Sequence, residues 1–466
     1  MKKILFIGAI DPFSEQEIRL QPLWPAYLAA YAEKVLGSEK MEFHFVNRQV
    51  EKQIRKIKPD LVAISSISKN YDYAIEYARL AKKHDLPVIV GGMHVTILPH
   101  TLTRDMDVGV MGEGEVAFAE LLRLFLEKGE LRDQDFQALD GIAYWRGDKL
   151  CKSEKRNPPI FMDDCPHPNR DLIGYGRRDY VYSTRGCAYN CIFCSCSSHW
   201  GTVRYTSPQY VVEEIRELVD HGVKIIRIND ENFASNGRRL KKISELVIEG
   251  GLHQKVRFSC WCRSNNVTPD IVEALKAMNV VSVKMGLESG SDRTLQYLKG
   301  GVTVADNLNA VNLLKDAGIQ VNGDFIIGAP DESYEEIMMT YDFIKNTRVD
   351  FVDVNILTPL PGTPLWNYAL QKGIVRDDMD WRALNFKFLE NADNVPIVSE
   401  HLSRQQLLQI YKKFQRLRFF KALKAVPHSP WINELPLLAL KRMKGKICKL
   451  AAMALMWGVT QSRAGS

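Results

Sequence analysis

The chain is poor in cysteine, with nine in 466 residues, too few for a disulfide framework. It has no collagen-like repeat and no low-complexity tract. Its composition, 45% hydrophobic, 25% charged and 9% aromatic, is that of an ordinary globular protein. The N-terminus lacks a signal-peptide core, because the apolar run from Ile4 to Gly8 meets Asp11 too soon. These absences lead to the expectation of a cytoplasmic protein kept in a reducing compartment. Acids are nearly missing from residues 401–466, where thirteen Lys and Arg face only Glu434. That tail carries +12 and residues 1–400 carry −6, within a net charge of +6. The length allows about three domains of ~150 residues, or two large ones with an appendage.

From Lys2 to Leu124, short apolar runs alternate with longer amphipathic stretches. The runs are Ile4–Ile7, Phe43–Val46, Leu61–Ile64 and Val88–Val90; the stretches include Ala26–Val35 and Tyr73–Lys83. Strands alternating with helices predict a doubly wound parallel sheet, which binds ligands at the carboxyl ends of its strands. The candidate positions there are Ser65 and Ser66, then Gly91-Gly92-Met93-His94, then Gly112-Glu113-Gly114-Glu115. Small residues at consecutive strand ends let a large ligand approach the backbone; equally, glycines make tight strand-to-helix turns. The stretch resembles the cobalamin-binding domain found ahead of many radical S-adenosylmethionine enzymes, with its G-G-x-H and G-E-G-E-x-x-F signatures. The resemblance implies cobalamin contacts at Ser65, Ser66, Gly91, Gly92, His94, Gly112, Glu113, Gly114 and Glu115. The D-x-H-x-x-G motif is absent after Gly8, so no protein histidine is expected beneath cobalt. His94 is the nearby histidine to watch, with a structural role as its other reading.

Residues 125–179 lose the alternation and read as a boundary, part hairpin and part linker. A strand-like segment, Tyr180–Thr184, then leads into Arg185-Gly186-Cys187-Ala188-Tyr189-Asn190-Cys191-Ile192-Phe193-Cys194. Three thiolates at C-x3-C-x2-C spacing can surround one small iron-sulfur cluster. Cys196 makes a fourth candidate, which leaves a closed zinc site open as an alternative. With Phe193 before the third cysteine, the motif resembles the signature of the radical S-adenosylmethionine superfamily. By that resemblance Cys187, Cys191 and Cys194 hold a 4Fe-4S cluster, S-adenosylmethionine chelates its fourth iron, and Phe193 lies near the adenine.

Six strands alternating with helices follow, the first being the strand before Cys187, and they predict a partial parallel barrel with its chemistry at the carboxyl ends. Polar residues stand at those ends: Asp230-Glu231-Asn232, Arg263, Glu288-Ser289-Gly290 and Gly328-Ala329-Pro330. The resemblance implies that Asp230 or Glu231 meets the methionine amino group, that Glu288 lies near the nucleotide and that Gly328 lines the adenine. Arg263 is a further candidate for binding S-adenosylmethionine. Cys260 and Cys262 are either cavity thiols or small buried hydrophobes.

The expected fold is therefore α/β: a cobalamin-binding-like doubly wound sheet (1–135), a linker (136–179), a partial (β/α)6 radical SAM barrel (180–395) and a basic helical C-terminal extension (396–466). Leu402–Leu423 has helical apolar spacing among Lys and Arg. Leu437–Val459 repeats the mixture, too interrupted for the ~20 apolar residues of a span. The tail either lies on an anionic membrane, which would make a lipidic substrate plausible, or caps the barrel with a solvated cationic face. The resemblance implies a cobalamin-dependent methyltransferase acting on an unactivated carbon or phosphorus. It would use 4Fe-4S, S-adenosylmethionine and cobalamin, with an electron donor such as flavodoxin or ferredoxin. The alternatives are cyclisation, oxidation or rearrangement without methyl transfer, and a non-catalytic cobalamin- or zinc-binding module. No specific nucleic acid is expected as a partner.

Overall fold

A computed structural model describes residues 1–11, 21–153, 160–384 and 395–431. The chain divides into two compact units. The first comprises 1–174, 198–201 and 360–385, and the second 175–197, 202–359 and 386–466.

In the first unit, β1 (Lys2–Gly8), α1 (Trp24–Leu36), β2 (Met41–Val46), α2 (Val50–Ile57), β3 (Leu61–Ser65), α3 (Tyr71–Lys82), β4 (Val88–Gly91), α4 (Met93–Ile97), β5 (Val108–Val110) and α5 (Gly114–Lys128) alternate. The sheet order begins β2-β1-β3-β4-β5 with every pair parallel. That order reverses between β1 and β3, so the crevice for a ligand lies at the ends of these strands. Ile4, Leu5, Phe6 and Ile7 are fully buried, as befits a strand covered on both faces.

A hairpin of β6 (Ile142–Arg146) and β7 (Lys149–Lys152) then extends the sheet, β6 pairing antiparallel to β5. The expected boundary at 135 falls inside this unit, because the hairpin belongs to its sheet and compactness ends at Gly174. Residues 360–385 also belong here, held by contacts such as the Trp381 amide on Asp72 at 2.8 Å.

The second unit carries β8 (Arg178–Val181), α6 (Pro208–Asp220), β9 (Ile225–Ile228), α7 (Gly237–Glu249), β10 (Arg257–Trp261), α8 (Pro269–Ala277), β11 (Val280–Glu288), α9 (Val304–Asp316), β12 (Gln320–Ile327), α10 (Tyr334–Asn346) and β13 (Phe351–Ile356). The six strands pair in chain order, all parallel, as a partial barrel. Local chemistry fixes the helix starts. Ser207 caps α6 ahead of Pro208, while Thr303 with Asp306 and Ser333 with Glu336 form capping boxes for α9 and α10.

Helix α11 (Arg404–Ala425) begins at the Ser403–Gln406 capping box. Leu407, Ile410, Phe414 and Leu417 on it join the barrel core. Its apolar face is therefore taken by protein, which favours capping over bilayer contact for this helix. The second stretch, 437–459, lies outside the described residues. Among the described residues no helix is long and apolar enough to cross a membrane.

Candidate functional site

The cysteine loop is positioned by a buried polar knot. Asp230, at the end of β9, accepts the Ser183 amide at 2.6 Å, the Thr184 amide at 3.0 Å and the Ser183 hydroxyl. Arg239 closes the knot from α7, donating to Ser183 Oγ at 3.0 Å and to the Ser183 and Thr206 carbonyls at 2.8 Å. Both oxygens of Asp230 thus hold the turn that launches Cys187. Glu231 is the open carboxylate of the pair; dense protein around it and the Asp230 charge raise its pKa.

Past the turn, the Ile192 amide donates to the Leu298 carbonyl at 3.0 Å and the Cys194 amide to the Cys191 carbonyl at 3.1 Å. Phe193 is half-buried, as are Cys187, Cys191 and Cys194. Burial pushes the Cys187 thiol up and the Cys194 thiol to about 12, and both feel Glu231 and neighbouring cysteines. Metal loading must therefore displace protons from this loop. Cys196 is buried and its thiol is likewise raised by burial.

Arg263, 7% exposed, reaches the loop from the end of β10. Its Nη1 donates to Cys191 Sγ at 3.5 Å, its Nη2 to the Lys299 and Gly300 carbonyls at 3.2 and 2.5 Å, and its plane lies 4.0 Å from the Tyr189 ring centre. Nε is buried without a partner. Asn232, the third residue of the 230–232 motif, ties the two strand ends together through the Arg263 amide at 3.1 Å and Asn266 at 2.8 Å. Among the described residues no group of three or more His, Cys, Asp or Glu side chains is drawn together to hold a metal ion, so these three thiols, on one loop beside a fixed guanidinium, suit a three-cysteine cluster by their number and spacing rather than as a preformed cage.

Glu288 has φ +59° and is buried, 3.5 Å from Lys299 Nζ; burial raises its pKa against the pull of that ammonium. Gly328 is the residue expected to line the adenine. Its amide goes to Glu332 at 2.6 Å, and a Cβ there would meet Leu407 at 3.3 Å, so packing against α11 accounts for the glycine. Cys260 and Cys262 both belong to the buried core, as the small-hydrophobe reading expects, and Cys260 also lines a cavity inside the barrel, as the cavity-thiol reading expects.

In the first unit, Gly8, Ser65 and Gly91 stand side by side at the ends of β1, β3 and β4. Gly92 has φ +98°, and a Cβ on it would sit 2.5 Å from the Ser66 carbonyl and 2.8 Å from Ser65 Oγ. Ser66 Oγ is buried without a partner, and Gly112 (φ +83°) has nothing within 4 Å of where a Cβ would project. A glycine-floored crevice with one unsatisfied hydroxyl fits a bulky polar ligand pressed against backbone. Glu113 is half-buried at the cap of α5. Gly114 faces Leu28 of α1, and Glu115 is buried, where it adds to the burial that raises the Tyr31 phenol.

His94 is a core residue rather than a ligand contact. It is fully buried, with Nδ1 3.1 Å from Ser68 Oγ, Nε2 3.0 Å from Thr101 Oγ1 and its ring stacked on Tyr71 at 3.7 Å. Burial lowers its pKa from 6.5 to about 3. The unfolded chain binds a proton below pH 6.5 that the folded chain refuses, so stability from this site is intact above that pH and declines as pH falls. Urea unfolding should lose about 2 kcal/mol between pH 7.5 and 5 through this group. His94→Gln should remove that part of the slope; an unchanged slope would contradict the neutral-imidazole assignment.

Sequence reasoning overlooked Arg239, Ser183 and Lys299. The hydroxyl and the two cations act at separations of 13 to 56 residues, for which a single sequence carries no signal.

A doubly wound sheet with a glycine-floored crevice, followed in the chain by a partial barrel whose first loop carries three cysteines, defines an enzyme of the radical S-adenosylmethionine class with a corrinoid-binding domain. Comparison with known proteins agrees. Residues 181–344 match the Radical SAM superfamily and residues 17–122 the B12 binding domain. An uncharacterized methyltransferase, PH0819 of Pyrococcus horikoshii, is 32% identical over 406 residues, covering 82% of this chain and 86% of its own length. The anaerobic magnesium-protoporphyrin IX monomethyl ester cyclase of Cereibacter sphaeroides is 26% identical over 439 residues, 88% of this chain and 68% of that protein. The solved structure of the radical S-adenosylmethionine methyltransferase TsrM from Kitasatospora setae shares the fold, with TM-score 0.67 at 18% identity over 81% of this chain and 77% of that one. The chain belongs to the cobalamin-binding radical S-adenosylmethionine enzymes. The non-catalytic and zinc-module readings fall with that assignment.

Proposed function

We propose that the enzyme transfers a methyl group from S-adenosylmethionine to an unactivated carbon or phosphorus of a small-molecule substrate. The observation that carries this is the pairing, in one chain, of the three-thiol loop beside Arg263 with the glycine-floored crevice at Gly92. Cys187, Cys191 and Cys194 would hold the 4Fe-4S cluster, with Phe193 against the nucleotide. Glu231, open where Asp230 is engaged, would accept from the methionine amino group, and Glu288 with Lys299 would bound the nucleotide site. Ser65, Ser66, Gly91, Gly92, Gly112 and Glu113 would take the cobalamin, with no histidine donated to cobalt. When bound, these groups supply a 5′-deoxyadenosyl radical and a carried methyl group. The protein holds the reactants in place and excludes water from them.

Anaerobic reconstitution with iron, sulfide and hydroxocobalamin tests the reading. About four irons and one corrinoid per chain are expected. With substrate, S-adenosylhomocysteine and 5′-deoxyadenosine should appear together with methylated product. Iron without corrinoid would overturn it. Deoxyadenosine without S-adenosylhomocysteine would instead favour cyclisation or rearrangement, a second reading supported by the likeness to the cyclase over 88% of this chain.

The reductant is proposed to be a flavodoxin or ferredoxin. Any peripheral contact with an anionic membrane falls to residues 432–466, and with it a lipidic substrate. Equal sedimentation with anionic liposomes of the full chain and of a chain ending at Trp431 would remove that contact.

A further inference from the structure

The interior of the barrel is unusual for its class of architecture. Parallel barrels fill their interiors with branched apolar side chains. Here a cavity within the strands is lined by Arg227, Ser259, Trp261, Ser282, Lys284 and Asn322. Strand register sets Arg227 beside Ser259 on one side and Tyr180 on the other. Below them the segment after α11 closes the floor: Ser429 Oγ donates to Gln320 at 2.9 Å, and the Trp431 ring carries Arg178 and Arg257 at 5.8 and 5.2 Å.

Nearly every charge in this interior has its counterpart. Lys284 meets Asp324 at 3.0 Å and Asp353 at 3.5 Å, and Arg418, from α11, meets Asp353 at 3.1 Å. Arg227 does not. Among the described residues no carboxylate or carbonyl accepts from its guanidinium. The protein packed around it, and after that the repulsion of Arg178, lowers its pKa to about 10. Lys284 also acts on Glu288, so of the cations Arg227, Lys284 and Arg418 it is Arg227 that has no carboxylate beside it among the described residues. Asp324 Oδ1 is also buried without a partner. Arg227 is half-buried, and an unpaired guanidinium lining a polar cavity is a ready partner for an anion.

We propose that Arg227 anchors an anionic group of the substrate, a carboxylate or a phosphate-type group, at the floor of the barrel. This deepens the methyltransfer reading and rests on it. The anchor is separate from the S-adenosylmethionine site, because Arg227 precedes Asp230 by three residues, about 10 Å of extended chain, and is level through Ser259 and Ser282 with Gln320 at the start of β12. A substrate held there by its charged end would direct its far end toward the strand tops, where the radical is generated.

The test uses full-length reconstituted protein and two variants, Arg227→Met and Arg227→Lys. Thermal unfolding is followed with sodium methylphosphonate, sodium acetate or sodium chloride at matched ionic strength. The wild type should gain stability with methylphosphonate or acetate over chloride, and which of the two acts tells a phosphate-type group from a carboxylate. Arg227→Lys should keep part of the response. Arg227→Met should lose it while melting higher than wild type without anion, since the unpaired charge is gone. A lower melting point for Arg227→Met marks Arg227 as a structural residue and overturns the proposal. So does an equal anion response in wild type and Arg227→Met, or none in the wild type. Iron and corrinoid contents of the same samples separate the two readings: fully loaded protein without an anion response sinks the anchor alone, whereas unloaded protein sinks the methyltransfer reading.

Discussion

Replacing Cys187, Cys191 and Cys194 together with alanine is expected to reduce bound iron from about four per chain to nearly none and to end reductive cleavage of S-adenosylmethionine. Corrinoid uptake should persist in the same variant, because Gly92 and Ser66 belong to the other compact unit. The separation follows from local structure. The cysteine loop is held by the Asp230 knot and by the Ile192–Leu298 backbone bond, neither of which uses a thiol. The metal-free variant should therefore melt close to metal-free wild type, and only the stabilisation added by iron should disappear. Cys196→Ala is the matched control and should retain its iron. Iron retained in the triple variant, or lost from Cys196→Ala, would reassign the ligands. The measurements are iron analysis, corrinoid absorption and 5′-deoxyadenosine production.

Much of this architecture is legible in sequence because parallel strands covered on both faces read as unbroken apolar runs. Ile4–Ile7, Leu61–Ile64 and Val88–Val90 all fall inside strands, and the barrel strands follow the same rule. Helix starts are legible where a cap is local, as at Ser333 with Glu336. The hairpin at 142–152 is anticipated within the boundary region, but its membership of the first sheet is obscured because its residues carry a weak alternation broken by Gly147 and Asp148. The membership of 360–385 in the first unit rests on contacts some 300 residues apart, such as Trp381 with Asp72. The site divides along the same line. The cysteine spacing is local and visible, whereas the distinction between Asp230 and Glu231 depends on Ser183, 47 residues away. His94 illustrates the opposite hazard: its motif is local, yet Ser68, Thr101 and Tyr71 take up the imidazole.

The Asp230 knot gives the second large effect. Asp230→Asn keeps the shape but exchanges one acceptor oxygen for a donor amide, which then faces the Ser183 and Thr184 amides or the Ser183 hydroxyl. It also removes the negative charge that Arg239, itself 9% exposed, senses across Ser183. Leaving donors opposed in that buried knot is expected to cost about 1–3 kcal/mol. The loss should appear as a lower thermal midpoint for the chain and as poor iron retention, since the turn at 183–184 sets the start of the cysteine loop. Glu231→Gln makes the informative comparison. Glu231 is open and holds no strand end, so its substitution should leave stability and iron nearly unchanged while weakening S-adenosylmethionine binding, measured by calorimetry on the reconstituted enzyme. If Asp230→Asn instead loses cofactor affinity with its stability intact, and Glu231→Gln loses stability, the two carboxylates have exchanged roles.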